Sequence, residues 1–322
     1  MLKILRLGAA LLFGALPIAS SVQAQEFPTR KPIKIIVGFN PGGGSDVMAR
    51  ITAEFLQKRL GQVVVVENRP GAASAIAAEY VAKSKPDGYT LFVTTAELSI
   101  IPAVRSNLPY DFSQFTFLAR PFSSTPLVVV GPNSPIASMK DLISQIKLNP
   151  QKLRYGTPGV GSLNHLGTVA LEQAVGAKGV HVPYTGASAV YTDLLAGVID
   201  FYTGASLPIP EGLKVLGPAG AKRHPAYPNL PTLEELGYSR LEHEAWWGVV
   251  APPGLPDDIA NRLRTDLRAV YADPQAIEKF QQAIKLLPDD NLLVGDAFKA
   301  KIVEDYKRWK KIADDGGIVI QQ

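Results

Sequence analysis

The sequence predicts an α/β protein built on parallel sheets, and three observations carry that prediction. Short apolar runs alternate with amphipathic helical segments along most of the chain, the pattern of strands joined by crossover helices. Two Gly-rich loops, Asn40-Pro41-Gly42-Gly43-Gly44-Ser45-Asp46 and Thr157-Pro158-Gly159-Val160-Gly161-Ser162-Leu163-Asn164-His165, each follow an apolar run and open a helix. The length, 322 residues, suits about two domains.

The elements follow in order. A strand is predicted over Ile33–Val37, then a helix from about Asp46 to Leu60 with Val47, Ile51, Phe55 and Leu56 on one face. Ser45 is its expected N-cap and Gly61 its end. A strand over Val63–Val66, a helix over Ala72–Ala82, a Lys85-Pro86-Asp87-Gly88 turn and a strand over Thr90–Thr94 complete a βαβαβ unit, half of a doubly wound sheet. Leu127–Val130 opens a second unit, with helix Met139–Ile146, strand Leu153–Gly156 and helix Leu163–Val175. Strand Val180–Val182, helix Ala187–Ala196 and strand Val198–Phe201 continue it. Gly and Pro at Ser206–Pro218 and Pro225–Pro231 predict long loops. After Trp246–Val250 the chain reads as wholly helical, at about 257–271, 273–285 and 296–314, with apolar faces suited to packing on a sheet.

The chain opens on an address. Met1, Lys3 and Arg6 precede apolar Leu7–Ile18, and Val22-Gln23-Ala24 offers a small-residue cleavage site. Residues 1–24 are therefore expected to be a signal peptide, leaving a soluble, exported chain that begins near Gln25. That apolar run is too short for a comfortable membrane span, and no later segment approaches the length of one. There is no cysteine, which excludes a disulfide framework and a lipidated N-terminal cysteine. A formal net charge of +4, with no basic stripe interleaved with aromatics, argues against a nucleic-acid partner.

Consecutive glycines let several N–H groups converge, and the helix behind them adds partial positive charge. Such a place binds an anion without a Lys or Arg. Two on one chain suggest jaws closing on one acidic ligand. The first loop lacks the third glycine of a dinucleotide fingerprint and the Gly-Lys-Ser/Thr of a phosphate loop. The second invites a hydrolase reading through Ser162 and His165, with an Asp such as Asp46. However, Asn164 stands where a nucleophile elbow needs glycine. His165, His181, His224 and His243 are scattered without metal-ligand spacing, so neither a metal nor another cofactor is expected. Thr185-Gly186-Ala187 and Thr203-Gly204-Ala205 follow further strands and would face the same crevice, and one ring of Trp246-Trp247 could stack on a flat ligand.

These residues carry a family resemblance along nearly the whole chain after the leader. Its blocks are Phe27-Pro28-Thr29-Arg30, the Gly42–Asp46 loop, Val65-Val66-Glu67-Asn68-Arg69-Pro70-Gly71-Ala72 and Pro86-Asp87-Gly88-Tyr89-Thr90-Leu91. Then come Gly159–Leu166, His181–Ala187, Asp193-Leu194-Leu195-Ala196-Gly197 and Ala221-Lys222-Arg223. Together they resemble the Bug (Bordetella uptake gene) receptors of tripartite tricarboxylate transporters. The resemblance implies a type II-like, two-lobed periplasmic binding protein, each lobe a doubly wound sheet flanked by helices, closing like a flytrap. It also implies a receptor without catalysis that binds a small carboxylate, across the family a dicarboxylate, an amino acid, a citrate-like or an aromatic acid, and docks on a membrane permease; a monomer is expected. Lobe 1 would comprise 25–124 with 246–322, and lobe 2 would comprise 125–245.

On matching positions the first grip would be Phe39, Asn40, Gly43, Gly44, Ser45 and Asp46. The second would be Gly159, Val160, Gly161, Ser162, Asn164 and His165, with Thr185, Gly186 and Ala187 nearby and Thr95, Ala96 and Thr203 at the crevice. Two departures bear on the ligand. In Thr94–Pro102, Ile101 stands at the family's usual Asn and Glu97 is acidic; the loop after Phe201 is short and lacks the usual acid. A more apolar pocket would suit an aromatic acid, and a pocket-facing Glu97 would repel a second carboxylate or pair with an amino group. A hydrolase, or a receptor that signals to a membrane sensor, is the alternative.

Overall fold

The computed structural model describes residues 27–320 apart from 207, 240 and 242; the signal peptide and its cleavage site lie outside them. The chain first lays down β1 (Ile33–Val37), α1 (Gly44–Leu60), β2 (Val64–Asn68), α2 (Ala75–Ala82), β3 (Thr90–Thr95), α3 (Glu97–Val104) and β4 (Thr116–Ser124). It then crosses to β5 (Leu127–Val130), α4 (Met139–Leu148), β6 (Arg154–Thr157), α5 (Leu163–Val175), β7 (Val180–Pro183), α6 (Ala187–Leu195), β8 (Tyr202–Ala205) and β9 (Lys214–Pro218). It returns through β10 (Ala245–Ala251), α7 (Asp257–Tyr271), α8 (Pro274–Ile284), β11 (Leu293–Val294) and α9 (Gly295–Gly316).

The first sheet has the order β11-β4-β10-β3-β1-β2. Strands β1, β2 and β3 run parallel, as crossover helices require, while β10 is antiparallel to both β3 and β4. The sheet is therefore mixed, because the strand returning from the second lobe enters between β3 and β4. Alternation in β1 sends Ile33, Ile35 and Val37 into one core with α1, α7 and α8. Ile36 faces a second core, which includes Phe298, Ile302 and Trp309 of α9. Both faces are covered from Ile35 to Val37, which explains that apolar run, while Lys34 stays exposed.

The second lobe holds the sheets β8-β5-β9 and β6-β7. A single parallel bridge, Tyr155 to Phe201, joins them. The expected strand at Val198–Phe201 thus lies later, at Tyr202–Ala205; residues 198–200 bend while the Asp200 carboxylate accepts the Arg154 N–H at 2.7 Å. Strand β9 lies inside the Gly- and Pro-rich stretch read as loop, and the short strand β11 interrupts the segment read as wholly helical. Strand β4 carries Arg120 and Pro121, which obscure its pattern. Arg120 is buried and bonded to Glu244 at 2.9 Å, beside the start of β10.

The lobes also meet behind the cleft. Leu163 and Leu166 of α5 join the core that contains α9. Gln173 of α5 donates to the Ile312 carbonyl of α9 at 3.0 Å, and the tail after α9 is held within its own lobe, where the Ile320 N–H donates to the Val104 carbonyl at 3.0 Å. Among the described residues, no helix is long and apolar enough to cross a membrane.

Candidate functional site

A cavity of about 230 Å³ lies between the two lobes, beyond the ends of β1 and β3. Phe39, Ser45, Thr95, Ala96 and Glu97 form one wall; Pro158, Leu163, Asn164, Ala187, Tyr191, Tyr202 and Gly204 form the other. Ser124, Pro126 and Ala245–Trp247 close it where the chain crosses over. A wider space of about 600 Å³ adjoins it, sharing Ser124, Ser206 and Trp247 and reaching Gly42, Gly44, Lys222 and Arg223. Phe39, Ser45, Thr95, Ala96, Asn164 and Ala187 are thus brought to the inner cavity, and Gly44 to its mouth. Asn40 is exposed beside the loop. Thr185 and Gly186 lead into α6 without lining the inner cavity, and Thr203 is buried with no partner for its hydroxyl among the described residues.

The first loop is braced from below. Gly43, not Ser45, caps α1; it is extended and offers no side chain, while Ser45 lies inside the first turn. Ser45 Oγ instead accepts the Trp247 indole N–H at 3.1 Å. Gly42 has φ +86°, a left-handed conformation open to glycine. Its N–H donates to the Asp46 carboxylate at 2.9 Å, which also accepts from Arg50 and from Asn68. Asp46 is buried and holds the loop rather than lining the cavity. Burial alone would raise its pKa, but the hydrogen bonds from Arg50, Gly42 and Asn68 hold it below the ordinary range. The N–H groups of Gly44, Ser45 and Asp46 head the helix, where no intrahelical acceptor exists.

The second loop is satisfied from within. Ser162 caps α5: its Oγ accepts the His165 N–H at 3.3 Å and donates to the Gly159 carbonyl at 2.8 Å. The Gly161 N–H donates to His165 Nδ1 at 3.1 Å. The His165 ring therefore sits behind the loop, stacked on His181 with centroids 4.0 Å apart. His181 Nε2 in turn lies 2.6 Å from Thr157 Oγ1. Burial and the neighbouring His181 bring the His165 pKa down to about 4, so the ring is neutral near pH 7. His165 and Val160 line a rear cavity beside α9, together with Glu172 and His181, and Gly159, Gly161 and Ser162 are absent from the inner wall. No hydrogen bond joins Ser162 Oγ to an imidazole among the described residues, so the arrangement is a helix cap with a propped loop.

Glu97, the first residue of α3, crosses toward this loop. Its carboxylate accepts from Thr95 Oγ1, from its own N–H and from the Leu163 N–H at the start of α5. Burial nevertheless holds its carboxyl above the ordinary range. Asn164, next along, donates from Nδ2 to the Tyr202 hydroxyl at 2.6 Å and to the Gly204 carbonyl at 3.1 Å. A Cβ on Gly204 would come within 1.6 Å of that Nδ2, so the glycine is what admits the amide.

Tyr191 and Tyr202 are wall residues that the motifs did not reveal. Their rings meet edge to face with centroids 5.6 Å apart. Tyr191 lies four residues after Ala187 in one helix, so both fall on one face; that spacing was the available signal. Tyr202 was hidden by the displaced strand. Metal-ligand clusters are absent among the described residues.

Two α/β lobes with a ligand-sized cavity between them make the architecture of a periplasmic binding protein. Residues 48–317 match the tripartite tricarboxylate transporter family receptor model, and the chain belongs to that family. The protein BugT of Bordetella pertussis is 32% identical over 310 residues, covering 93% of this chain and 93% of the relative. Among solved structures, the periplasmic binding protein BugD superposes with a TM-score of 0.78 at 29% identity, covering 91% of this chain and 99% of that one. R. palustris Rpa4515, solved with adipate, gives 0.80 at 30% identity, with coverage of 91% and 99%. The resemblance to Bug receptors is borne out.

Proposed function

We propose that the chain is an extracytoplasmic receptor that closes on a small organic carboxylate and delivers it to the membrane permease of a tripartite transporter. The observation that carries this reading is the interlobe cavity, with the unpartnered head of α1 at its mouth. The adipate held by Rpa4515 supports the ligand class. The lobes would be 25–124 with 246–322 and 125–245, so that the two crossovers act as the hinge and closure excludes water from the N–H···O bonds. The signal peptide would end near Ala24–Gln25 and leave a soluble periplasmic monomer. Phe39, Gly43, Gly44 and Ser45 would grip the carboxylate, with Thr95, Ala96, Asn164 and Ala187 shaping the cavity. The Ser162–His165 hydrolase alternative loses support, because the serine hydroxyl donates to a backbone carbonyl and the imidazole accepts from a backbone N–H.

A thermal-shift screen of the chain from Gln25 against dicarboxylates, citrate, amino acids, benzoates and chlorinated acids tests this. A ligand at 100 times its Kd adds about 2.7 kcal/mol to the native state. Stabilisation by one chemical class, with the ligand recovered unchanged, is expected. No stabilisation by any acid, or recovery of an altered ligand, would overturn the reading.

A further inference from the structure

The interlobe cavity has an uneven charge. Five aromatic residues line it, Phe39, Tyr191, Tyr202, Trp246 and Trp247, together with one carboxylate, Glu97; none of its lining residues is Lys, Arg or His. Among the described residues Glu97 has no ion-pair partner, and its carboxylate already takes the Leu163 N–H at the head of α5. The helix terminus that would have met a ligand anion on the second lobe is therefore occupied by the chain's own carboxyl group. Within the inner cavity a ligand carboxylate is left with the head of α1, the cations Lys222 and Arg223 lying in the adjoining space. Burial alone keeps the Glu97 carboxyl from ionising easily, and a second ligand carboxylate reaching the far wall would disfavour its ionised form further. A cationic nitrogen there would favour the ionised carboxylate and pair with it. The aromatic faces around it suit ammonium groups, alkylated ones included.

We propose that Glu97 is a specificity-determining residue that selects monocarboxylates bearing a cationic nitrogen over dicarboxylates of the same length. This rests on the carboxylate-receptor reading and names the other end of its ligand. The test is calorimetric titration of the chain from Gln25 with pairs matched in their methylene spacer, glutarate against 4-aminobutyrate and its trimethylammonium analogue, and succinate against 3-aminopropionate. The cationic member of a pair is expected to bind about tenfold or more tightly than its dicarboxylate. Glu97→Gln should abolish that preference, and Glu97→Asp, which keeps the charge, should retain its direction. Equal or tighter binding of the dicarboxylates by the unaltered chain would overturn the inference and leave the receptor reading standing. So would an unchanged preference in a folded Glu97→Gln variant. Failure of every acid, of either kind, would overturn both.

Discussion

The two Gly-rich loops share a composition and a place in the fold, yet their backbone N–H groups have different partners. In the first, Asp46 sits beneath the loop and takes only the Gly42 N–H, so the first turn of α1 is left facing the cleft. In the second, His165 takes the Gly161 N–H, Ser162 takes the His165 N–H, and Glu97 from the opposite lobe takes the Leu163 N–H. The lesson is about what makes an anion site. A glycine loop before a helix supplies donors, but it remains a site only where the chain itself supplies no acceptor.

The comparison breaks most visibly at Gly44. An added Cβ there meets nothing within 4 Å, so the fold tolerates a side chain, which would project toward the cleft mouth. Gly44→Val is expected to weaken ligand binding about 100-fold, equivalent to about 2.7 kcal/mol, while the midpoint of thermal unfolding barely moves. Calorimetry beside a melting curve checks both. Full affinity in the variant would show that the first loop is not the open jaw.

Asp46 sharpens the contrast from below. Asp46→Ala removes the acceptor of the Gly42 N–H and leaves Arg50 and Asn68 without their shared partner. A loss of about 2–3 kcal/mol in urea unfolding is expected, because the aspartate is buried and its partners stay behind. Stability within about 0.5 kcal/mol of the parent would mean that the loop holds its shape without the brace.

Much of the frame was legible in the sequence because its signals are local. Strand Ile33–Val37 and helix Leu163–Val175 were read with their observed limits, since apolar runs end there at Gly or a capping serine. Strands β4 and β9 were not, because Arg120, Pro121 and the surrounding Gly and Pro residues interrupt a pattern that only the neighbouring strands restore. At the site, the loops themselves were visible, whereas the partners of their N–H groups were not. Asp46 and His165 stood in the motifs as gripping residues, but the fold turns one under its loop and the other behind it. The contact between Glu97 and Leu163 joins two lobes, and no spacing in the chain announces it.

The rear of the second loop has a pH signature. His165 titrates at about 4 in the fold against an ordinary 6.5. Between those values the unfolded chain holds the extra proton, so this group's contribution to stability is lost as pH falls. Glu172 acts in the opposite sense: burial pushes it up to about 7 from 4.5, the folded chain takes the proton first, and stability is gained as pH falls through that window. The two partly cancel. Glu172→Gln removes the opposing gain, so its stability should fall about 2 kcal/mol more steeply than the parent's between pH 7 and 4.5. Parallel pH profiles for the two proteins would contradict a carboxyl held neutral by burial behind the loop.

The smallest effect falls on the residue that looked most like chemistry. Ser162→Ala removes a helix cap and the hydroxyl that holds Gly159, which should cost about 1 kcal/mol of stability. Binding should change by no more than about twofold, since Leu163 keeps its Glu97 acceptor and the head of α1 is untouched. A nucleophilic serine would behave otherwise, with turnover of an ester or amide falling by orders of magnitude. Set beside Gly44→Val, the outcome separates the loops cleanly. If Ser162→Ala damages binding as much as Gly44→Val does, the second loop holds the ligand too, and Glu97 must leave Leu163 when the lobes close on it.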